Sequence, residues 1–199
     1  MSITLNGNGT ITGYTPTAIS GTLTTANMPS GSILQVVNTN KTDLWGCDIT
    51  SNQTPIGVSA LDCTITTLAA NSKLIVSAHI FAEGNDDDHN FYLSWSRGIS
   101  GTFTDFMLGD AASNRTRCAA MVAVGYKDGD NNSTASSSAL PPLVDSPNQS
   151  AGTDITYRIN YIISSGATKY IRGNRTFGDT DGAGHERGSS WVTVMEVKA

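Results

Sequence analysis

The sequence predicts an all-β protein, a two-sheet antiparallel β-sandwich of the jelly-roll kind, and three observations carry that expectation. Ser, Thr, Asn and Gly make up roughly two-fifths of the chain, while strong helix formers are scarce and Glu occurs only at Glu83, Glu186 and Glu196. Short stretches rich in β-branched and aromatic residues recur, separated by turn-forming stretches such as "GNDDDHN", "KDGDNNSTASSS", "SSGA" and "GDTDGAGHERG". One stretch, "TYRINYIIS", alternates cleanly, with Tyr157, Ile159, Tyr161 and Ile163 on one face and Arg158 and Asn160 on the other. That pattern describes a sheet with one face in the core and one facing water or a partner.

Residues 1–30 are polar and turn-rich, with apolar residues at no sustained period, and cannot bury a core of their own. They are read as an extended attachment segment whose Ile3, Leu5, Ile11, Tyr14, Ile19 and Leu23 order only against another surface. The composition changes at "GSILQVVNTN", and residues 31–199 are assigned to the sandwich. Strands are predicted over 33–37, 74–81, 91–97, 118–126, 155–163, 169–172 and 191–197. "KLIVSAHIFAEGNDDDHNFYLSWSRG" reads as one hairpin with an acidic tip, and "TYRINYIIS", "SSGA" and "TKYIRG" as a second. The closing "SSWVTVMEVKA" has strand content up to Val197, which frays unless it pairs inside the sandwich. There Trp191 would be buried with Val192, Val194 or Met195, so losing 191–199 would disrupt the fold, whereas losing only Lys198 and Ala199 would not.

The 12 basic and 17 acidic residues give a net charge of -5 without any basic cluster, which argues against a nucleic-acid partner. Apolar runs are too short to enter a membrane, and "MSITLNGNGT" has no signal-peptide pattern. Cys47, Cys63 and Cys118 are an odd count without CxxC spacing, read as reduced small hydrophobes rather than metal ligands or a disulfide. No GxSxG, HExxH, GxGxxG or P-loop occurs, so no enzyme, cofactor or metal is expected.

Two loops could still carry binding. The tip with Asp86, Asp87, Asp88 and His89 gathers oxygen ligands that a hard cation could use, but it lacks the D-x-D-x-D-G order and reads as solvated. The loop around Arg175, Phe177, Asp179, Asp181 and His185 is Gly-rich and polar, without a recognised ligand spacing. Trp45, Phe91, Tyr92, Trp95, Tyr126, Tyr157, Tyr161, Tyr170, Phe177 and Trp191 could stack on sugar rings where they surface, although period-two placement puts most in the core. Arg115, Arg117, Arg172, Arg175 and Arg187 lie in or beside loops and suit subunit salt bridges or anionic glycans.

Four separated segments, "GSILQVVNTNKTD", "LGDAASNRTRCAAM", "LVDSPNQSAGTDITYRI" and "GSSWVTVMEV", taken in order, resemble the C-terminal β domain of tail-fibre and related appendage proteins of marine phages, including those infecting cyanobacteria. "SITLNGNGTITG" is similar to the opening of such proteins. The resemblance covers about residues 31–199 and implies a virion-located homotrimer made in the host cytoplasm. Its N-terminal segment would attach to other virion proteins and its distal domain would meet a host-surface glycan or protein. Coiled-coil heptads and β-helix repeats are both missing, so a short tail fibre or tail-tip component fits better than a long adhesin. The structural alternative is a head or tail decoration protein. A polysaccharide depolymerase would need a carboxylate pair across a groove, which only the two loops could supply.

Overall fold

The computed structural model describes residues 24–85, 91–122, 134–164 and 166–199, and the backbone of 4–5 and 11–12. Thr4–Leu5 (β1) pairs with Ile11–Thr12 (β2) in an antiparallel ribbon that sets Leu5 opposite Ile11. Ile3, Tyr14, Ile19 and Leu23 lie outside the described residues.

Twelve further strands build two antiparallel sheets. Sheet I holds Ile33–Lys41 (β3), Trp45–Ile49 (β4), Lys73–Gly84 (β7), Ser136–Asp145 (β11), Lys169–Gly173 (β13) and Ser190–Val197 (β14). Sheet II holds Ile56–Gly57 (β5), Cys63–Thr66 (β6), Phe91–Ile99 (β8), Thr102–Phe106 (β9), Ala120–Met121 (β10) and Asp154–Ile163 (β12). Several strands are halves of one ribbon. β13 and β14 lie end to end along β7, which pairs with Gly173 through Ala82 and with Trp191 through His79. β3 and β4 lie end to end along that ribbon, β5 and β6 along β12, and β9 and β10 along β8.

Merged in this way, the twelve strands of the two large sheets form eight ribbons. Counted in chain order, sheet I runs first, eighth, third, sixth, and sheet II runs second, seventh, fourth, fifth. This interleaving of two Greek keys is a jelly roll, as the sequence predicts.

The topology corrects both expected hairpins. β7 belongs to sheet I and β8 to sheet II, and β12 and β13 are likewise in opposite sheets. Turn residues show that the chain reverses, but here each reversal crosses the sandwich because the largely apolar inner faces of the two strands need opposing sheets. A true hairpin joins β8 to β9 through Ser100 and Gly101, both at positive φ, the two-residue turn that matches strand twist.

The core lies between the sheets. Leu74, Val76, Ala78, Ile80 and Ala82 of β7 face Ile155, Tyr157, Ile159, Tyr161 and Ile163 of β12, with Trp95, Leu93, Val192 and Val194 among them, all at most 2% exposed. Cys47 and Cys63 line this core, and all three cysteines are free. Trp45 packs directly over Gly173, its cross-strand partner, where any Cβ would collide with the indole. Arg97 of β8 crosses to Asp145 of β11 at 2.8 Å to both carboxylate oxygens, and the Tyr157 hydroxyl donates to the same carboxylate at 2.7 Å. This nearly buried bridge ties the two sheets together.

The second face of β12 is less open to water than expected. Arg158 forms a two-pronged ion pair with Asp62 at 2.7 and 2.5 Å and lies over Phe103. Asn160 is 4% exposed, bonded to Ser94, Ser96 and Asp105, and Ile162 is also buried.

β14 pairs along its length with β3 on one side and β7 on the other, so the last strand is interior to its sheet. Its parity differs from expectation. Ser190, Val192, Val194 and Glu196 point inward, while Trp191, Thr193 and Met195 face outward. The inward glutamate is tolerated because its carboxylate caps the connection into β7. It accepts from the Leu68 N–H at 2.9 Å, the Ala69 N–H at 3.0 Å, the Ser72 hydroxyl at 2.7 Å and the Gln35 amide at 2.6 Å. Burial pushes the Glu196 pKa up, but these donors outweigh it and hold it below the usual value.

Lys198 also departs from its expected irrelevance. Its ammonium donates to the carbonyls of Thr25 (2.8 Å), Ala26 (3.0 Å) and Met28 (2.6 Å), and its backbone pairs with Gly31 and Ser32. It fastens the short 3-10 turn Thr25–Asn27 to the end of β14.

A depressed carboxyl pKa stabilises the fold above the unfolded value of about 4.3, and that contribution is lost as pH falls through the folded value. Denaturant titrations should therefore show wild-type stability falling below about pH 4, with Glu196→Gln flattening that part of the profile. Glu196→Ala should cost about 3 kcal/mol at neutral pH by stranding buried donors. Equal stability of Glu196→Ala and wild type would contradict this role.

Candidate functional site

The loop singled out in the sequence leaves the centre of sheet I, between β13 and β14. Asn174 opens it in the left-handed conformation (φ 63), which Asn accepts more readily than most residues. Its amide donates to the carbonyls of Lys41 and Asp43, both at 2.8 Å, its oxygen accepts from the Ser190 hydroxyl at 2.8 Å, and its N–H bonds to Phe81. One buried side chain thus splices β3 to β4 and β13 to β14 at the point where the loop departs. The loop returns over β7, with Gly188 against the Phe81 ring and the Phe177 N–H donating to Glu83 at 2.6 Å.

Within the loop, Arg175 pairs with Asp179 at 2.7 Å, and Arg187 bonds the other oxygen of the same carboxylate. Asp179 is therefore neutralised by two guanidinium groups and shapes the loop rather than presenting a free anion. The His185 ring meets the Thr176 hydroxyl at 3.3 Å, and Arg172 lies beside Phe177 and Tyr170 while pairing with Asp48 at 3.1 Å. Arg175 and Asp179 are thus brought together, while Phe177 and His185 meet other residues and Asp181 is exposed. Asp86, Asp87, Asp88 and His89 lie outside the described residues. Among the described residues no group of His, Cys, Asp and Glu gathers as metal ligands.

The outward face of sheet I, bordered by this loop, carries a feature that the sequence reading did not assemble. Trp191 sits between Asn40 of β3 and His79 of β7, and its indole stacks on the His79 ring at 5.9 Å and 18°. His79 is itself held, by the Ser189 carbonyl at 3.2 Å and by the Ser137 hydroxyl. On the other side of the indole lies an open depression of about 300 Å³ lined by Asn38, Asn40, Trp191 and Thr193. The Asn38 amide donates to Thr193 Oγ1 at 2.7 Å.

The same face changes character along its strands. Toward one end, Val36, Met195, Ile75 and Val144 form a cross-strand row beside Ile33, with Ile33, Val36 and Val144 more than half exposed. Toward the other end, Glu83, Arg172 and Asp48 make it charged. The signal for the depression was available as the Asn38, Asn40 and Thr193 parity, but only the pairing register places them beside Trp191.

Among the described residues the two most deeply enclosed carboxylates, Glu196 and Asp145, are both consumed by structural partners. Asn174→Ala should destabilise the fold by about 2–4 kcal/mol in chemical denaturation, since it orphans two carbonyls. Asn174→Gly, which accepts the backbone but lacks the amide, should lose nearly as much; full recovery would assign the effect to backbone conformation alone.

No family model matches the sequence, and no curated protein matches it significantly. Among solved structures, the infectious bursal disease virus VP2 subviral particle is similar at 14% identity and TM-score 0.37, over 82% of this chain and 41% of that one. T=1 particles derived from infectious bursal virus give 15% identity and TM-score 0.36, over 82% and 40%. The structure of the Gx strain of that virus gives 14% identity and TM-score 0.36, over 83% and 37%. The chain therefore spans about two-fifths of the length of the solved chains it is similar to.

Proposed function

We propose that the protein is a non-enzymatic virion structural protein of a phage, a short tail-fibre or tail-tip appendage. It assembles as a homotrimer, attaches to other virion proteins through residues 1–30 and meets the host surface through its sandwich. The sequence segments that resemble marine-phage appendage proteins support the virion half of this reading. The observation that carries the binding half is the outward face of sheet I, where a half-buried aromatic pair, the exposed Asn40 carboxamide and a stapled loop stand on paired strands.

The enclosed acids support a scaffold rather than a catalyst. A depolymerase needs a carboxylate pair across a groove, and Glu196 and Asp145 are committed to hydrogen bonds within the fold. Jelly rolls serve both as virion shells and as lectins, an analogy of fold alone. The exposed row of Ile33, Val36 and Val144 supports a subunit contact and equally favours the second reading, a head or tail decoration protein.

Gold-labelled antibody against the chain, applied to intact particles, should mark the tail, and native mass measurement of the purified chain should give a trimer. Label confined to the head would select the decoration reading. A monomer at every concentration would remove the trimer.

A further inference from the structure

We infer that the depression beside Trp191 is a binding site for an uncharged sugar ring. This rests on the host-surface reading above and moves the contact from the loops to the sheet face.

The indole is a prepared platform. One side is covered by His79, which two hydrogen bonds hold in place, and the other borders the depression. An aromatic face is electron-rich, and the C–H groups on one side of a pyranose carry partial positive charge, so the two surfaces attract when stacked. The rim supplies the complementary polar groups. Asn40 is exposed and its carboxamide has no partner among the described residues; Asn38 keeps its oxygen as an acceptor while its amide holds Thr193. Amides both donate and accept, as sugar hydroxyls do.

Charge argues for a neutral ligand. The four lining residues carry none, and the nearest cation along β3, Lys41, is paired with Asp43 at 2.7 Å. The groups stand on β14, which is paired on both sides, and on β3, the edge strand laid along it, so little ordering is needed on binding. The volume of about 300 Å³ is at the lower end for small-ligand sites, which suits one ring of a surface glycan rather than a buried oligosaccharide.

The test is titration of the full chain, labelled with nitrogen-15, with methyl glycosides of glucose, galactose, mannose and N-acetylglucosamine and with disaccharides of each. The Trp191 indole N–H, identified with Trp191→Phe, should shift and saturate with a dissociation constant on the order of millimolar for at least one sugar, while the Trp45 and Trp95 signals stay put. Asn40→Ala, at an exposed position, should weaken binding about tenfold or more with an unchanged melting temperature, and Trp191→Ala should weaken it at least as much while the chain still folds. No shift at tens of millimolar sugar, roughly the weakest useful affinity, would overturn the inference. So would a response to uronic acids alone, or a Trp191 shift that follows protein concentration without sugar, which marks a contact between copies. A particle lacking this chain would sink the appendage reading and leave a positive titration standing; a flat titration would do the reverse.

Discussion

The structure depends on a strand that closes the sheet from inside. β14 satisfies the inner edges of both β3 and β7, so neither neighbour has its full complement of hydrogen bonds until the last ribbon is laid between them. Its two faces then do separate things. The inward face supplies Val192 and Val194 to the core and Glu196 to the 68–72 connection, and the outward face raises Trp191 beside His79. Stability and the candidate binding surface therefore rest on the same eight residues, Ser190–Val197.

Polar groups in this sandwich are spent on joining elements. Asn174 splices two broken ribbons, Glu196 caps a connection, Asp145 bridges the sheets and Arg158 covers the outer side of sheet II. Each is enclosed and paired, as low-dielectric burial demands. On the outward face of sheet I, between an apolar end and a charged end, Asn38, Asn40 and Thr193 stand beside Trp191.

Legibility in the sequence followed from how strongly burial imposes alternation. β7 and β12 were readable because one face of each is wholly apolar or nearly so, and β14 because of its β-branched and aromatic content. β11 was not, because Ser136–Ser138 and the pair Pro141 and Pro142 read as loop; it tolerates them as an edge ribbon with a register shift between Leu140 and Leu143. β4, β6 and β9 are too short to show a period. In β14 the strand content was visible but its parity was not, since a glutamate on the inner face looks like an outer position until its four donors are seen. The loop residues Arg175, Asp179 and His185 were legible as a cluster, whereas the Trp191 depression needed register, which links Asn40 and His79 across β14 from distant parts of the chain.

Native-state hydrogen exchange tests the closing role of β14 most directly. The account predicts that the β14 amides exchange as slowly as those of β7, through global unfolding alone, because β14 cannot leave without opening two ladders. Exchange of β14 at the rate of the edge strand β11, with β7 still protected, would contradict it.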